Sequence, residues 1–264
     1  EKEDEEPEKK NELILIIDDN KDMRDFLVNE LCYQFEIIQA SNGETGLHKT
    51  RKHLPDLVIC DVMMPVMNGM EFLNTVKNDM LTSHVPVILL TAKSDQENKI
   101  NGYDTGADDY ITKPFHIDIL KARIKNIIDS RKKLREITAH SIEKNQIDDD
   151  LTDNVLDRKF IQKAISVIEN HISNPDFDNK KFAAEMHMGK SQLYSKLKSV
   201  TNQTVHEFIK NVRLKKAVHY LSKNQYNISE IAYLTGFNSP IYFSKCFKEV
   251  YGVSPSDYMK NNHA

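Results

Sequence analysis

Leu57-Val58-Ile59-Cys60-Asp61 is an unbroken apolar run closed by a carboxylate, and Pro65, Asn68 and Gly69 turn the chain just after it. A strand that is apolar at every position, not every second one, is buried on both faces, as in a parallel sheet covered by helices. That narrows the fold to alternating strands and helices. Ligands of such sheets bind outside the carboxyl ends of the strands, and Asp61 stands at one of those ends.

The pattern recurs along the first half of the chain. Leu13 to Ile17 runs into Asp18, Asp19 and Asn20. Phe35 to Ala40 is a short strand. Val85 to Leu90 runs into Thr91, and Asp109 to Thr112 runs into Lys113-Pro114-Phe115. Helical spacing fills the gaps: Lys21 to Leu31, Asn42 to Lys52, Met70 to Lys77, about Asp95 to Tyr103, and onward from His116. Five alternations predict a five-stranded parallel sheet with helices on both faces. Asp18, Asp19, Asp61, Thr91 and Lys113 would then converge on one edge. Carboxylates held together repel, and one protonates unless a cation sits among them. Oxygen donors without histidine or thiolate suit Mg²⁺ or Mn²⁺. One outward carboxylate can attack a phosphoryl group, with Lys113 and Thr91 holding its oxygens.

These residues resemble the receiver domain of two-component response regulators: Asp18-Asp19, Asp61 with Met63, Pro65 and Gly69, Thr91-Ala92, and Tyr110 to Phe115. The resemblance spans Leu13 to about Ile128 and implies a doubly wound, flavodoxin-like sheet. It implies that Asp61 accepts phosphate from a phosphohistidine on a sensor kinase. Mg²⁺ would be held by Asp19, Asp61 and the carbonyl of Met63, with Asp18 acting mostly through water. Thr91 and Tyr110 become the switch pair, Lys113 reaches the phosphoryl group, and the Lys113–Pro114 bond is expected to be cis. The resemblance also implies a homodimer through the receiver, on a face with Lys99, Tyr103, Asp104, Asp108, Asp109, Lys121 and Lys125. A hydrolase with an aspartyl-phosphate intermediate is the competing reading. Such enzymes resemble a pattern with an acid two residues after the nucleophile, and here that place is Met63.

Periodicity fails between Asn145 and Asn154, a polar and acidic stretch that marks a linker. From Val155 onward there are 16 Lys and Arg against 9 Asp and Glu, whereas the preceding residues carry 20 against 31. A basic half points to nucleic acid. The pattern there is helical throughout. Two short helix pairs with tight turns, at Met188-Gly189-Lys190 and Thr235-Gly236-Phe237-Asn238, flank a long helix from Thr204 to Leu221. The expected organisation is an acidic linker (1–11), the α/β receiver domain (12–130), a helical extension and linker (131–154), and an all-α domain with two helix-turn-helix motifs (155–264).

The block Ile228 to Tyr258, with Ser191 to Lys198 and Asn211 to Ala217, resembles the AraC-type DNA-binding domain. That implies two recognition helices in successive major grooves of promoter DNA at paired sites. With Leu193 and Leu197 inward at i, i+4, the readers in the first are Ser191, Gln192, Tyr194, Ser195 and Lys196. With Phe243 and Phe247 inward, those in the second are Asn238, Ser239, Tyr242 and Lys245. The tandem arrangement resembles hybrid two-component regulators, which implies a histidine kinase domain in the same chain and an anchor in the inner membrane outside this region. A stand-alone response regulator is the alternative. Cys32, Cys60 and Cys246 have neither zinc nor disulfide spacing, which fits a reducing cytoplasm. No apolar run is long enough to span a membrane.

Overall fold

The computed structural model describes residues 12–92, 106–143 and 154–261. The chain divides into two compact units, residues 1–133 and 134–264. The first contains β1 (Leu13–Ile17), α1 (Lys21–Leu31), β2 (Glu36–Ala40), α2 (Gly43–His53), β3 (Leu57–Asp61), α3 (Gly69–Asn78), β4 (Val87–Ala92), β5 (Asp109–Lys113) and the start of α4 (Ile117–Glu143). The helix expected near residues 95–103 lies outside the described residues. All four strand pairings are parallel, in the order β2-β1-β3-β4-β5. The chain changes direction across the sheet at β1 and β3, which makes their carboxyl ends the switch point.

Alternation along each strand explains the unbroken apolar runs. Leu15, Ile17, Val58, Cys60, Val87 and Leu89 pack on one face with Phe72, Leu73 and Val76 of α3. Ile14, Ile16, Leu57, Ile59, Ile88 and Leu90 pack on the other with Leu27 and Leu31 of α1 and Leu120, Ile124 and Ile128 of α4. Helix α4 runs unbroken for 27 residues, continuing past Arg131 as the sequence pattern suggested.

The second unit is helical: α5 (Val155–Asn170), α6 (Asn179–Glu185), α7 (Lys190–Thr201), α8 (Val205–Lys223), α9 (Ile228–Leu234), α10 (Pro240–Tyr251) and α11 (Pro255–Asn261). Asn154, Asp178, Thr204, Asn227 and Ser239 cap α5, α6, α8, α9 and α10 with side-chain oxygens. Helix α8 feeds two cores. Its residues Val205 to Val212 pack with α5, α6 and α7, while Leu214, Ala217 and Leu221 pack with α9, α10 and α11. No helix among the described residues is long and apolar enough to cross a membrane.

Candidate functional site

The carboxyl edge of the sheet gathers the charged strand ends. Carboxylate oxygens of Asp18, Asp19 and Asp61 lie within 4.8 Å of one another. Asp18 and Asp61 are buried, and Asp19 is exposed. Lys113 enters from β5, with Nζ 2.9 Å from Oδ2 of Asp18 and 3.1 Å from Oδ1 of Asp61. The other Asp18 oxygen accepts the Asn20 backbone N–H at 2.9 Å, which fixes the carboxylate in place. Burial raises the Asp61 carboxyl above the usual carboxylate range; Lys113 pulls it back and Asp18 adds to the rise. Burial also opposes the Lys113 charge, yet its contacts with Asp18 and Asp61 leave it above the usual lysine range. An all-oxygen donor set, open to water on the Asp19 side, fits a hard divalent cation that keeps part of its hydration.

Thr91 is buried at the end of β4. Register places Leu89 opposite Tyr110 and Thr91 opposite Thr112, so Thr91 and Tyr110 are diagonal neighbours on one sheet face. The Lys113–Pro114 bond is cis. Met63 is 66% exposed in the loop after β3. That loop is drawn tight: Val62 N–H donates to Leu90 O at 3.0 Å and Gly69 N–H to Val62 O at 2.9 Å. A Cβ on Gly69 would stand 2.2 Å from Asp61 O, so only glycine lets α3 start against the end of β3. Asn68 caps α3 and Glu71 closes the capping box.

In the second unit the two helix-turn-helix motifs share one turn geometry. Met188 and His187 N–H groups donate to Ala183 O and Ala184 O, both at 3.0 Å. Phe237 and Gly236 repeat this to Ala232 O and Tyr233 O at 2.9 and 3.0 Å. Both turns pass through the left-handed region, at His187 (φ 59°) and Gly236 (φ 76°). Of the expected readers, Ser191, Tyr194, Asn238, Tyr242 and Lys245 are exposed, and Gln192, Ser195 and Ser239 are partly so. The Gln192 carbonyl oxygen accepts the Gly189 N–H at 3.1 Å, and the Ser239 hydroxyl caps α10.

Lys196 is a correction. It has no exposed surface, and its Nζ lies 2.5 Å from Oδ1 of Asp157 in α5, so it cannot reach a base. The reading at i, i+4 counted only Leu193 and Leu197 as inward. The buried stripe is wider, including Lys196 and Val200, as a globular helix's apolar face commonly is. Sequence reasoning also missed Ile241, 84% exposed in the first turn of α10. Its signal was an apolar residue two places before the buried Phe243, off the inward face. A groove of about 530 Å³ lies between the first turns of α7 and α10 and is lined by Lys180, Lys190, His206, Lys210 and Arg213, with Asp178 as its one carboxylate. The Asp178 carboxylate is engaged with the Lys181 N–H at 2.8 Å.

On the expected dimer face, Lys99, Tyr103 and Asp104 lie outside the described residues. Asp108 is turned to Lys77 and Arg131 at 2.7 and 2.8 Å, Asp109 pairs with Arg123 at 3.0 Å, and Lys121 pairs with Glu30 at 2.8 Å.

Residues 14–125 match the response regulator receiver domain, and residues 182–261 match a helix-turn-helix domain. Over 95% of its length the chain is 40% identical to a protein named histidine kinase P4 from Formosa agariphila, of which it spans 18%. Over 50% of its length it is 38% identical to the response regulator ArlR of Staphylococcus aureus, of which it spans 60%. A solved response regulator receiver domain protein from Clostridium thermocellum is 32% identical, covered to 99% by 47% of this chain, with a TM-score of 0.44.

Proposed function

The chain belongs to the two-component response regulators, a receiver domain joined to a helix-turn-helix domain of the AraC type, and from that premise we propose a transcription regulator controlled by phosphorylation of Asp61. The observation that carries the reading is Lys113 held between Asp18 and Asp61 at the switch point of the sheet. An Asp61 carboxylate oxygen attacks the phosphorus of a phosphohistidine. An O–P bond forms, the P–N bond breaks, and the imidazole leaves with the electron pair and takes up a proton from solvent. Lys113, already within reach, compensates the phosphoryl charge. Asp19, Asp61 and the Met63 carbonyl would hold Mg²⁺, with Asp18 acting through water. When bound, the ion neutralises charge on the phosphoryl oxygens. Thr91 then turns toward the new charge and Tyr110 follows. Residue Met63, two after Asp61, offers no acid to release the phosphate, which disfavours a hydrolase.

The exposed faces of α7 and α10 read duplex DNA, and the groove between them, rich in lysine, meets phosphate. Phosphorylation pairs receivers, so that two DNA-binding units reach paired sites together. Kinship with the Formosa protein, named a histidine kinase, supports a longer hybrid chain with its own histidine kinase; we further propose that this region lies in the cytoplasm beneath an inner-membrane anchor. Kinship with ArlR supports the alternative, a stand-alone regulator. The domain limits proposed are 12–130 for the receiver and 155–264 for the DNA-binding domain, with 131–154 joining them.

The test is incubation with acetyl phosphate and Mg²⁺. One phosphoryl mass is expected, absent in Asp61→Asn and in Asp19→Ala. Label that survives Asp61→Asn would sink the assignment.

A further inference from the structure

Lys196 is the one charged side chain in the inward stripe of α7, which otherwise consists of Leu193, Leu197, Val200 and Thr201. Besides its 2.5 Å contact with Asp157, its Nζ lies 5.6 Å from the ring centroid of Phe160, also in α5. A pair buried this deeply contributes little to stability, because desolvation offsets the attraction. Its best-attested use is to hold register. We infer that Asp157 and Lys196 are positioning residues for base reading: the pair fixes the rotation and axial place of α7 against α5. Helix α5 is then a working part of the DNA-binding unit, although the helix-turn-helix match begins only at residue 182. The inference rests on the reading that α7 enters DNA.

The second recognition helix shows why the first needs such a device. Helices α7 and α10 have 12 residues each, and the place of Lys196 in α7 is taken by buried Cys246 in α10. The inward face of α10 is aromatic. Phe243 and Phe247 meet Phe237, Tyr251, Tyr258 and each other at centroid distances of 4.5–5.8 Å, in tilted or edge-on contacts. Such rings pack with specific geometry, so shape alone fixes α10. Helix α7 offers Leu193, Leu197 and Val200, and aliphatic packing of suitable volume gives stability before it gives a unique arrangement. A short ion pair is directional where those contacts are not. Gln192 lies one helical turn before Lys196, so any rotation of α7 moves its amide relative to a base edge. A base contact at hydrogen-bond length does not survive a shift of about 1 Å.

The test uses the full chain and duplexes selected from a random-sequence DNA library. Base preference is profiled for the wild type, for Gln192→Ala (which marks the bases read by α7), and for three pair variants. Asp157→Leu/Lys196→Met removes both charges at similar volume, Asp157→Asn breaks the pair with an isostere, and Asp157→Glu keeps the carboxylate. Thermal unfolding is recorded for each. For the charge-free pair, discrimination at the α7 bases is expected to fall about tenfold, the lower range of one good base contact, while preference at the α10 bases holds. Asp157→Asn should do the same, so the outcome stands if the double variant does not fold. Asp157→Glu should restore at least part of the preference. Unchanged preference at the α7 bases in folded variants overturns the inference, as does an equal loss over both halves. A wild-type chain that selects no duplex overturns the regulator reading itself, and this inference with it.

Discussion

Val66 is a β-branched residue held at φ 71°, in the exposed loop that follows Asp61. In the left-handed region its Cβ crowds the backbone, at a cost of roughly 1–2 kcal/mol. Glycine adopts that conformation freely but loses more chain entropy on folding. Val66→Gly is therefore expected to stabilise the receiver by about 0.5–1 kcal/mol, seen as a raised midpoint in urea. Phosphoryl labelling of Asp61 should persist, because Val66 supplies none of the charged groups. An unchanged or lowered midpoint would mean that Val66 is held by contacts worth more than its strain. Gly69→Ala is the opposite case, since its Cβ would collide with the backbone that carries Asp61.

Among elements, Asp108 joins three. It accepts from Lys77 of α3, Arg131 of α4 and the Val87 backbone N–H just inside β4. Burial opposes its charge, but Lys77 and then Arg131 outweigh that and hold the carboxyl below the usual range. A carboxyl depressed in the fold adds stability above its unfolded pKa of about 4, and loses it as pH falls through the lower folded value. Asp108→Asn should therefore cost about 2 kcal/mol at pH 7, between an exposed pair and a fully buried one. The gap to the wild type should narrow below about pH 4. Urea titrations at the two pH values measure this, and a gap that stays constant would show that charge is not what ties α4 to the sheet. The two helix-turn-helix motifs make a second comparison at this scale. Their turns bond alike, yet one uses His187 where the other has Gly236, whose Cβ would stand 2.3 Å from Ile172 O. Glycine is needed there by a close neighbour as well as by φ.

For the whole molecule, the groove between the recognition helices should register as phosphate contact rather than base reading. Lys210→Ala is expected to weaken binding to selected and random duplexes alike, and to lower the salt slope by about 1. Lys245→Ala, by contrast, should lose mainly on the selected site. A Lys210→Ala loss confined to the selected site would make that lysine a reader. Phosphorylated chain should sediment as a dimer and gain affinity for a two-site duplex but not for one half-site. Tighter half-site binding by a monomer would point to a released contact within the chain instead.

The sequence by itself determined the sheet, its parallel sense and the carboxyl-edge cluster, because apolar runs and the residues that end them are local patterns, and a parallel sheet puts every such end on one edge. It also disclosed both helix-turn-helix motifs through their turns. It could not decide which outward-looking positions face water. Lys196 is a charged residue that every composition rule places at the surface, and its pairing with Asp157, 39 residues away in sequence, accounts for its burial. Asp108 and Asp109 look equivalent on a helical or strand count, yet one joins three elements while the other meets Arg123 and the backbone N–H of its neighbour Tyr110. Ile241 falls off the inward face set by Phe243 and Phe247, and the structure leaves it 84% exposed. Pairings between distant residues depend on where elements meet, and periodicity holds no information about that.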